Sequence, residues 1–432
     1  MAINPIPDTE LLAQLLRDGS YAERCVGGRK VAVLTGSLVF SVGDIAKTHP
    51  SMSKLKSKKP AIFSFFAGAG FLDLGFEKSD YDVVFVNEYH DPFLDAYKHS
   101  RDRMGIPKPR FGYSLDDVTE FTKGKKKAEL KQLVESEKKS GRLVGFIGGP
   151  PCPDFSVGGK NRGREGDNGK LSAIYAEIIS TQKPDFFLFE NVRGLWRTKK
   201  HREFYEELKA KLHKVGYATT ERLINAIEYS APQDRERIIL IGFRKNLLDA
   251  RSVSKDGKNI AEGIFPWKDF ILQPREDLFG QPWPETKKFV EGQQFTLPKG
   301  VSKELTIEHW FTKNDVLNHP NSRHYFQPRA GLARFKSVDE GDVSRKSYKR
   351  LHRWRYSPTA CYGNNEVHLH PYKARRLSVA EVLAIQSLPK EFAFPGTMTL
   401  TDMFKAVGNG VPYLAAKSIA ETIKKFIETN KK

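Results

Sequence analysis

A single thiol stands in the segment Gly148-Gly-Pro-Pro-Cys152-Pro-Asp-Phe-Ser156, immediately after an apolar run at 143–147. Glycine and proline shape and stiffen such a loop, and the carboxyl end of a strand is where α/β folds gather reactive groups. An isolated cysteine is more often a small buried hydrophobe, but this setting favours a nucleophile over an inert core residue. A carboxylate, Glu190, closes the next strand-like run, Phe186-Phe-Leu-Phe-Glu190-Asn-Val192. Its apolar predecessors place it where desolvation raises a carboxyl pKa, which suits a general acid near neutral pH; a cap on the following helix is the competing role. Gln233-Asp-Arg235-Glu-Arg237 leads into a further apolar run. Alternate strand residues share a face, so Arg235 and Arg237 can enter one site and orient an anion or a base edge, unless Asp234 and Glu236 simply hold them in surface ion pairs.

Two other strand ends suggest a ligand. Ile62-Phe-Ser-Phe-Phe-Ala-Gly-Ala-Gly-Phe71 carries Gly68 and Gly70 in a strand-to-helix turn, where a missing Cβ lets a ligand approach the backbone. The run at 83–86 closes on Asn87-Glu88-Tyr89, an acid placed to accept from ribose hydroxyls beside an aromatic able to cover an adenine ring. Together they favour an adenosine-containing cofactor without saying which.

The elements that must position these groups are short apolar runs alternating with amphipathic stretches. Runs at 62–66, 83–86, 143–147, 186–189 and 238–241 read as strands, and 171–182 and 201–215 as helices, which predicts a doubly wound α/β sheet. The alternation stops after Phe243. Between 246 and 374 Pro, Gly, aromatic and basic residues prevail with little periodicity, as in a smaller, loop-rich inserted domain. Helical spacing returns at Leu377, Val379, Val382, Leu383 and Ile385 and again from Met403 to Ile427, interrupted by a tight turn at Gly408-Asn409-Gly410. The expected organisation is an N-terminal extension and basic linker (1–59), a catalytic domain (60–245), the insertion (246–374) and C-terminal helices completing the catalytic domain (375–432). The extension holds a short helical stretch around Leu11 to Leu16 and apolar runs at 31–33 and 38–42.

The 432 residues include 71 Lys and Arg against 52 Asp and Glu, a net charge of +19. Such a surplus attracts polyanions, so nucleic acid leads as the partner. Three scattered cysteines, Cys25, Cys152 and Cys361, argue against a disulfide framework or a Cys-rich zinc site and for a reducing cytoplasm. No stretch approaches the ~20 apolar residues of a spanning helix, and the first residues lack the layout of a secretory signal. Lys123-Gly-Lys-Lys-Lys127 reads as a solvated helix or loop.

Taken in order, these segments resemble the motifs of the DNA cytosine-5 methyltransferases, at Phe66-Ala-Gly-Ala-Gly70, Pro151-Cys152, Glu190-Asn191-Val192, Gln233-Asp-Arg235-Glu-Arg237 and Gly408-Asn409-Gly410. A weaker match lies at Arg375-Arg376-Leu377-Ser-Val-Ala-Glu381, followed by Leu388-Pro389. The resemblance spans about 60–245 and 375–425. It implies a Rossmann-like methyltransferase domain with an inserted target-recognition domain, and S-adenosyl-L-methionine as cofactor, leaving as S-adenosyl-L-homocysteine, with no metal. Phe66, Ala67, Gly68, Gly70 and Pro150 would line the cofactor, Glu88 bind its ribose, Tyr89 lie against the adenine, Asp117 face the adenine amino group and Asn409 approach the methionine end. Cys152 would add to carbon 6 of cytosine, Glu190 donate to ring nitrogen N3, Arg235 position the base and support Glu190, and Arg237 brace the site. Ser156, Asn191 and Gln233 would contact the substrate. The implied substrate is a base flipped out of duplex DNA, and the implied protein a monomeric bacterial modification enzyme, cytoplasmic at the nucleoid, with any cognate endonuclease acting separately.

Several positions depart from the family pattern. Pro153 follows the cysteine where Gln is common, Ser64 stands where an Asp often opens the cofactor turn, and Phe71 replaces a frequent second Gly. In the insertion, Arg323, His324, Arg329, Arg334, Lys336, Arg345, Lys346, Lys349, Arg350, Arg353 and Arg355 interleave with Tyr325, Phe326, Phe335, Tyr348, Trp354 and Tyr356, as expected of groups that hold phosphates and read base edges. His368 and His370 read as core or surface residues rather than metal ligands, since no third ligand is evident. Two rival functions stand beside the main one. A transfer-RNA methyltransferase of the same family is disfavoured by the large basic insertion and by Cys361-Tyr-Gly in place of Cys-Phe-Thr; a catalytically silent DNA-binding regulator is disfavoured by Cys152, Glu190 and Arg235.

Overall fold

The computed structural model describes residues 58–151, 167–328, 331–345, 347–359 and 367–430, together with three strands between 21 and 41. The chain divides into two units, Met1–Lys58 and Lys59–Lys432. In the first, β1 (Tyr21–Val26), β2 (Arg29–Leu34) and β3 (Leu38–Ser41) form an antiparallel meander. The apolar runs expected at 31–33 and 38–42 fall on β2 and β3; the stretch around Leu11 to Leu16 lies outside the described residues.

The second unit opens with β4 (Ala61–Phe65), α1 (Phe71–Glu77), β5 (Asp82–Asn87), α2 (Asp91–Arg103), β6 (Tyr113–Ser114), α3 (Gly124–Lys139) and β7 (Val144–Gly148). It continues through α4 (Asp167–Gln182), β8 (Phe186–Val192), α5 (Arg193–Arg197), α6 (Lys199–Lys214), β9 (Tyr217–Asn225), β10 (Gln233–Asp234) and β11 (Glu236–Arg244). Every apolar run read as a strand is one. The seven-stranded sheet has the order β6-β5-β4-β7-β8-β11-β9, parallel except for β11, which runs against both neighbours. Side chains alternate across it with the strand period. Phe63, Phe65, Phe146, Phe187 and Phe189 fill one core layer, while Ile62, Ile147, Leu188, Ile239 and Ile241 fill the other. Burial on both faces explains why these strands read as continuous apolar runs. The chain winds outward from β4 to β6, then returns to place β7 on the other side of β4. The carboxyl ends of β4 and β7 therefore flank the switch point where doubly wound sheets bind ligands.

The segment from 246 onward is irregular, as expected, with α7 (Arg275–Phe279), α8 (Ile307–Lys313), α9 (Leu332–Lys336) and the short strands β12 (Lys349–Arg350), β13 (Ser357–Pro358) and β14 (His368–Leu369). Much of its apolar content packs on the sheet layers rather than on itself. Leu248, Ile260 and Phe265 join the layer of Phe243 and Phe426, and Ile307, Trp310 and Phe311 join Phe71 and α10 (Val379–Ile385). Phe335, Val338, Val367 and Leu369 make a small cluster of their own. Helices α11 (Leu400–Asn409) and α12 (Tyr413–Asn430) then return to the sheet. Helix α12 crosses α1 so closely that a Cβ at Gly75 would lie 2.6 Å from the Ala416 carbonyl carbon. Among the described residues no helix is long and apolar enough to cross a membrane.

Candidate active site

Strand register gathers the site. Phe65 pairs with Asn87 on one side and Gly148 on the other, and Gly148 pairs with Phe189. The residues one step further along, Phe66, Glu88, Gly149 and Glu190, therefore stand in one row above the sheet at its switch point.

At the end of β4 the chain takes a left-handed course, with φ of 53° at Phe66, 57° at Gly68 and 79° at Gly70. A bulky residue held at positive φ is strained, and such strain concentrates at functional sites. The Phe66 ring meets Tyr175 edge-on at 5.9 Å. The two glycines serve different ends. Around the missing Cβ of Gly68 none of the described residues lies within 4 Å, and its N–H donates to Glu88 Oε2 at 2.7 Å. At Gly70 a Cβ would fall 2.5 Å from the Tyr97 ring, and Arg101 donates to the Gly70 carbonyl at 2.7 Å. Close ligand approach thus fits Gly68, whereas packing demands glycine at 70. Beneath the turn Ser64 donates to Asp73 Oδ1 at 2.9 Å. Burial pushes the Asp73 carboxyl up to about 7 despite the opposing charge of Arg101.

Glu88 also accepts from the His90 N–H through Oε1 at 2.8 Å, and burial raises its pKa against these backbone hydrogen bonds. The carboxylate oxygens keep acceptor capacity beyond their backbone donors. Tyr89 and Leu115 present large apolar side chains to solvent, at 70% and 44% exposure, flanking the acid. Asp117 caps the turn 118–122, its Oδ1 accepting from the Thr119 N–H at 2.8 Å.

On β8 Glu190 is buried, which raises its pKa, while Arg237 and Arg235 act in the opposite direction. Arg237 Nε lies 2.9 Å from Glu190 Oε1. Because Arg237 pairs across the ladder with Val192, it shares the face of Glu190. Arg235 is buried as well, donating to the Gly408 carbonyl at 2.7 Å, and so links this edge to the last turn of α11. Gln233 is buried beside Gln386, Nε2 to Oε1 at 3.4 Å, and Gln386 donates to the Val407 carbonyl at 2.7 Å. Asn191 donates to the carbonyl of buried Pro150 at 3.4 Å and accepts from the Val192 N–H at 2.8 Å, tying the ends of β7 and β8 together. Surface ion pairing within 233–237 is not what forms. Asp234 accepts from Asn225 at 2.6 Å, and Glu236 binds Arg193 and Arg275. Asn409 is exposed, beside a Gly410 whose Cβ would collide with Phe71 at 2.2 Å. Cys152 and Ser156 lie outside the described residues.

Sequence reasoning missed two members of this edge. A Cβ on Gly149 would stand 2.6 Å from Glu190 Oε2, so this glycine makes room for the acid. The doubled glycine at the end of β7 was the available signal. For Gln386, 153 positions from Gln233, no spacing gave notice.

Between residues 246 and 374 the expected field of cations divides. Arg323, Arg334, Lys336 and Arg345 are exposed, but Arg350 and Arg353 are buried and cannot meet DNA. Arg350 donates to the carbonyls of Phe335, Val338, His370 and Lys373. Arg353 is held in a fork by Glu340, at 2.9 and 2.8 Å. Guanidinium groups here serve as internal ties between loops that lack ladders, a role composition does not distinguish from surface charge. Arg329 and Lys346 lie outside the described residues. His368 and His370 are buried, their pKa values lowered to about 3 and about 4 by desolvation, and His370 sits 3.4 Å from Glu381.

The strand order, the open turn at the switch point and the buried acid paired with arginine define a Rossmann-like α/β enzyme. The chain belongs to the C-5 cytosine-specific DNA methylase family, whose model matches residues 61–425. It is 56% identical over 394 residues to the Type II methyltransferase M.NmeDI of Neisseria meningitidis serogroup C, covering 91% of this chain and 90% of that one. The Type II methyltransferase M.MthTI of Methanothermobacter thermautotrophicus is 30% identical over 378 residues, 85% of this chain and 98% of the relative. Two solved structures share the fold. A chain described as a DNA modification methyltransferase encoded within an Escherichia coli prophage superposes with a TM-score of 0.56 at 20% identity, covering 86% of this chain and all of its own. The Dnmt2 methyltransferase of S. pombe gives 0.51 at 13% identity, covering 86% of this chain and 99% of its own. The family and fold expected from the motifs are thereby borne out.

Proposed function

We propose that the protein transfers a methyl group to carbon 5 of one cytosine within a short specific sequence of duplex DNA, as the modification member of a restriction–modification system or as an orphan enzyme. The observation that supports this most is the row formed by Phe66, Glu88, Gly149 and Glu190, which sets a ligand turn beside a buried acid. The open side of Gly68, the remaining acceptor capacity of Glu88 and the exposed faces of Tyr89 and Leu115 suit the adenosine part of S-adenosyl-L-methionine, with Asp117 toward the adenine amino group and Asn409 toward the methionine end. When bound, that group supplies the electrophilic methyl.

Carbon 5 of cytosine is a weak nucleophile. Cys152, as thiolate, forms a bond from sulfur to carbon 6, while Glu190 gives its proton to N3; the ring becomes an enamine whose carbon 5 takes the methyl. Burial of Glu190 favours the protonated donor, and the paired arginines stabilise the carboxylate left after transfer. A base then removes the carbon 5 proton, and as the thiolate leaves carbon 6 the N3 proton returns to Glu190, restoring the aromatic ring. Access to carbon 6 requires the base to leave the stack, at a cost of a few kcal/mol. Residues 60–245 and 375–432 act as the catalytic domain and 246–374 as the target-recognition domain, with the exposed cations of the latter on the phosphates. The enzyme works as a monomer in the bacterial cytoplasm at the nucleoid, and needs no metal or bound endonuclease.

Expression in a host without DNA methylation, followed by bisulfite sequencing, tests this. Methylcytosine is expected at one short sequence, and none with Cys152→Ser. Unmodified genomic DNA from cells holding the folded protein overturns the proposal, and modified transfer RNA alone replaces it with the RNA-directed alternative.

A further inference from the structure

Next to the catalytic edge lies a charged cluster that the mechanism does not use. Glu236 stands between Arg235 and Arg237 but points to the opposite face of β11, where its side chain is only 8% exposed. Two guanidinium groups converge on it. Arg193, three residues beyond Glu190 at the start of α5, contacts Oε2, and Arg275, which opens α7 in the insertion, lies 2.6 Å from Oε1. One carboxylate against two cations leaves a net charge of +1 at a fixed place. Both guanidinium groups also keep a solvent face, at 43% for Arg193 and 33% for Arg275, so neither is consumed by the pair. Arg193 directly follows β8, the strand that carries Glu190, while the second cation is drawn from Arg275, far along the chain, to the same carboxylate.

We propose that Arg193 and Arg275, gathered by Glu236, form a binding site for one phosphate of the DNA backbone beside the catalytic edge. The carboxylate fixes the two planar forks, which lowers the entropy lost on engaging a phosphate oxygen, and the surplus charge supplies the attraction. This site rests on the DNA-methylation reading above.

The test is the salt dependence of binding to an alternating dA–dT duplex, which has no cytosine and so reports backbone affinity alone. Neutralising one phosphate contributes about 0.9 to the slope of log Kd against log salt. Arg275→Ala should reduce that slope by about 0.9, Arg275→Lys should keep it, and Glu236→Gln should leave it at or above the wild-type value because a counter-charge is removed. A clamp without a phosphate predicts something else: both Arg275→Ala and Glu236→Gln would lower the melting temperature with the slope unchanged, and that result overturns the site. If the wild-type protein itself shows no salt-steep binding to the duplex, the DNA reading fails first and the site with it.

Discussion

Replacing Gly149 by alanine puts a methyl group in place of a hydrogen at the point where the acid sits. The new Cβ would lie 2.6 Å from Glu190 Oε2, so the carboxylate has to retreat by about 0.8 Å to regain ordinary contact at 3.4 Å. A carboxylate at the end of a free side chain would yield easily. This one is held from the other side by Arg237 Nε at 2.9 Å and is buried. Overpacking of this size costs about 1–3 kcal/mol of stability, which a domain of this size tolerates. On the proposed mechanism the catalytic cost is larger in effect, because a displacement near 1 Å of the group that donates to N3 is worth about 10²-fold in rate. We expect Gly149→Ala to lower single-turnover methyl transfer onto a cytosine-containing duplex by about 10²-fold while duplex Kd stays within a few-fold. Transfer of a labelled methyl group under saturating DNA and cofactor measures the first quantity and filter binding the second. A variant that keeps its rate within threefold would refute the reasoning that Glu190 is pinned between Gly149 and Arg237.

Two other perturbations probe what supports the site. Asp73 has a native pKa near 7, far above an unfolded carboxyl, so the native state holds the extra proton, and the associated stability is full at low pH and lost as pH rises through 7. Relative to Asp73→Asn, the wild-type protein should lose up to about 4 kcal/mol between pH 4 and 7 in denaturant titrations; parallel curves for the two proteins would sink the assignment. In the insertion, Glu340→Ala leaves the buried Arg353 without its counter-charge and should cost about 3–5 kcal/mol by denaturant midpoint, whereas exposed Arg334→Ala should change stability by less than about 0.5 kcal/mol. Equal effects at the two positions would show that Arg353 is not desolvated as its geometry requires.

The regular half of this molecule was legible from local pattern. Apolar runs at 62–66, 143–147 and 186–189 became β4, β7 and β8 because strands buried on both faces need nothing but apolar residues, and a single sequence displays that directly. The same holds for Glu88 and Glu190, each marked as the polar residue that ends such a run. Arg235 and Arg237 were legible as a pair on one face, since strand periodicity is local. The insertion was harder, because irregular backbone is satisfied by side chains whose partners lie far along the chain. Arg353 looked like a DNA contact until Glu340 was found across from it, and Gln386 gave no sign of meeting Gln233.

What the sequence determined by itself is therefore which groups end which strands, in what order, and the motif series that defines the family. Only the tertiary structure decided their arrangement. The register of β4, β5, β7 and β8 puts Phe66, Glu88, Gly149 and Glu190 into one row, and the packing around the turn leaves no described residue within 4 Å of a Cβ at Gly68 while Tyr97 fills the place of one at Gly70. The physical reason is that a residue's type and its local period are written in the chain around it. Its distance from a residue far along the chain depends on how every intervening element packs, and that is a property of the whole fold.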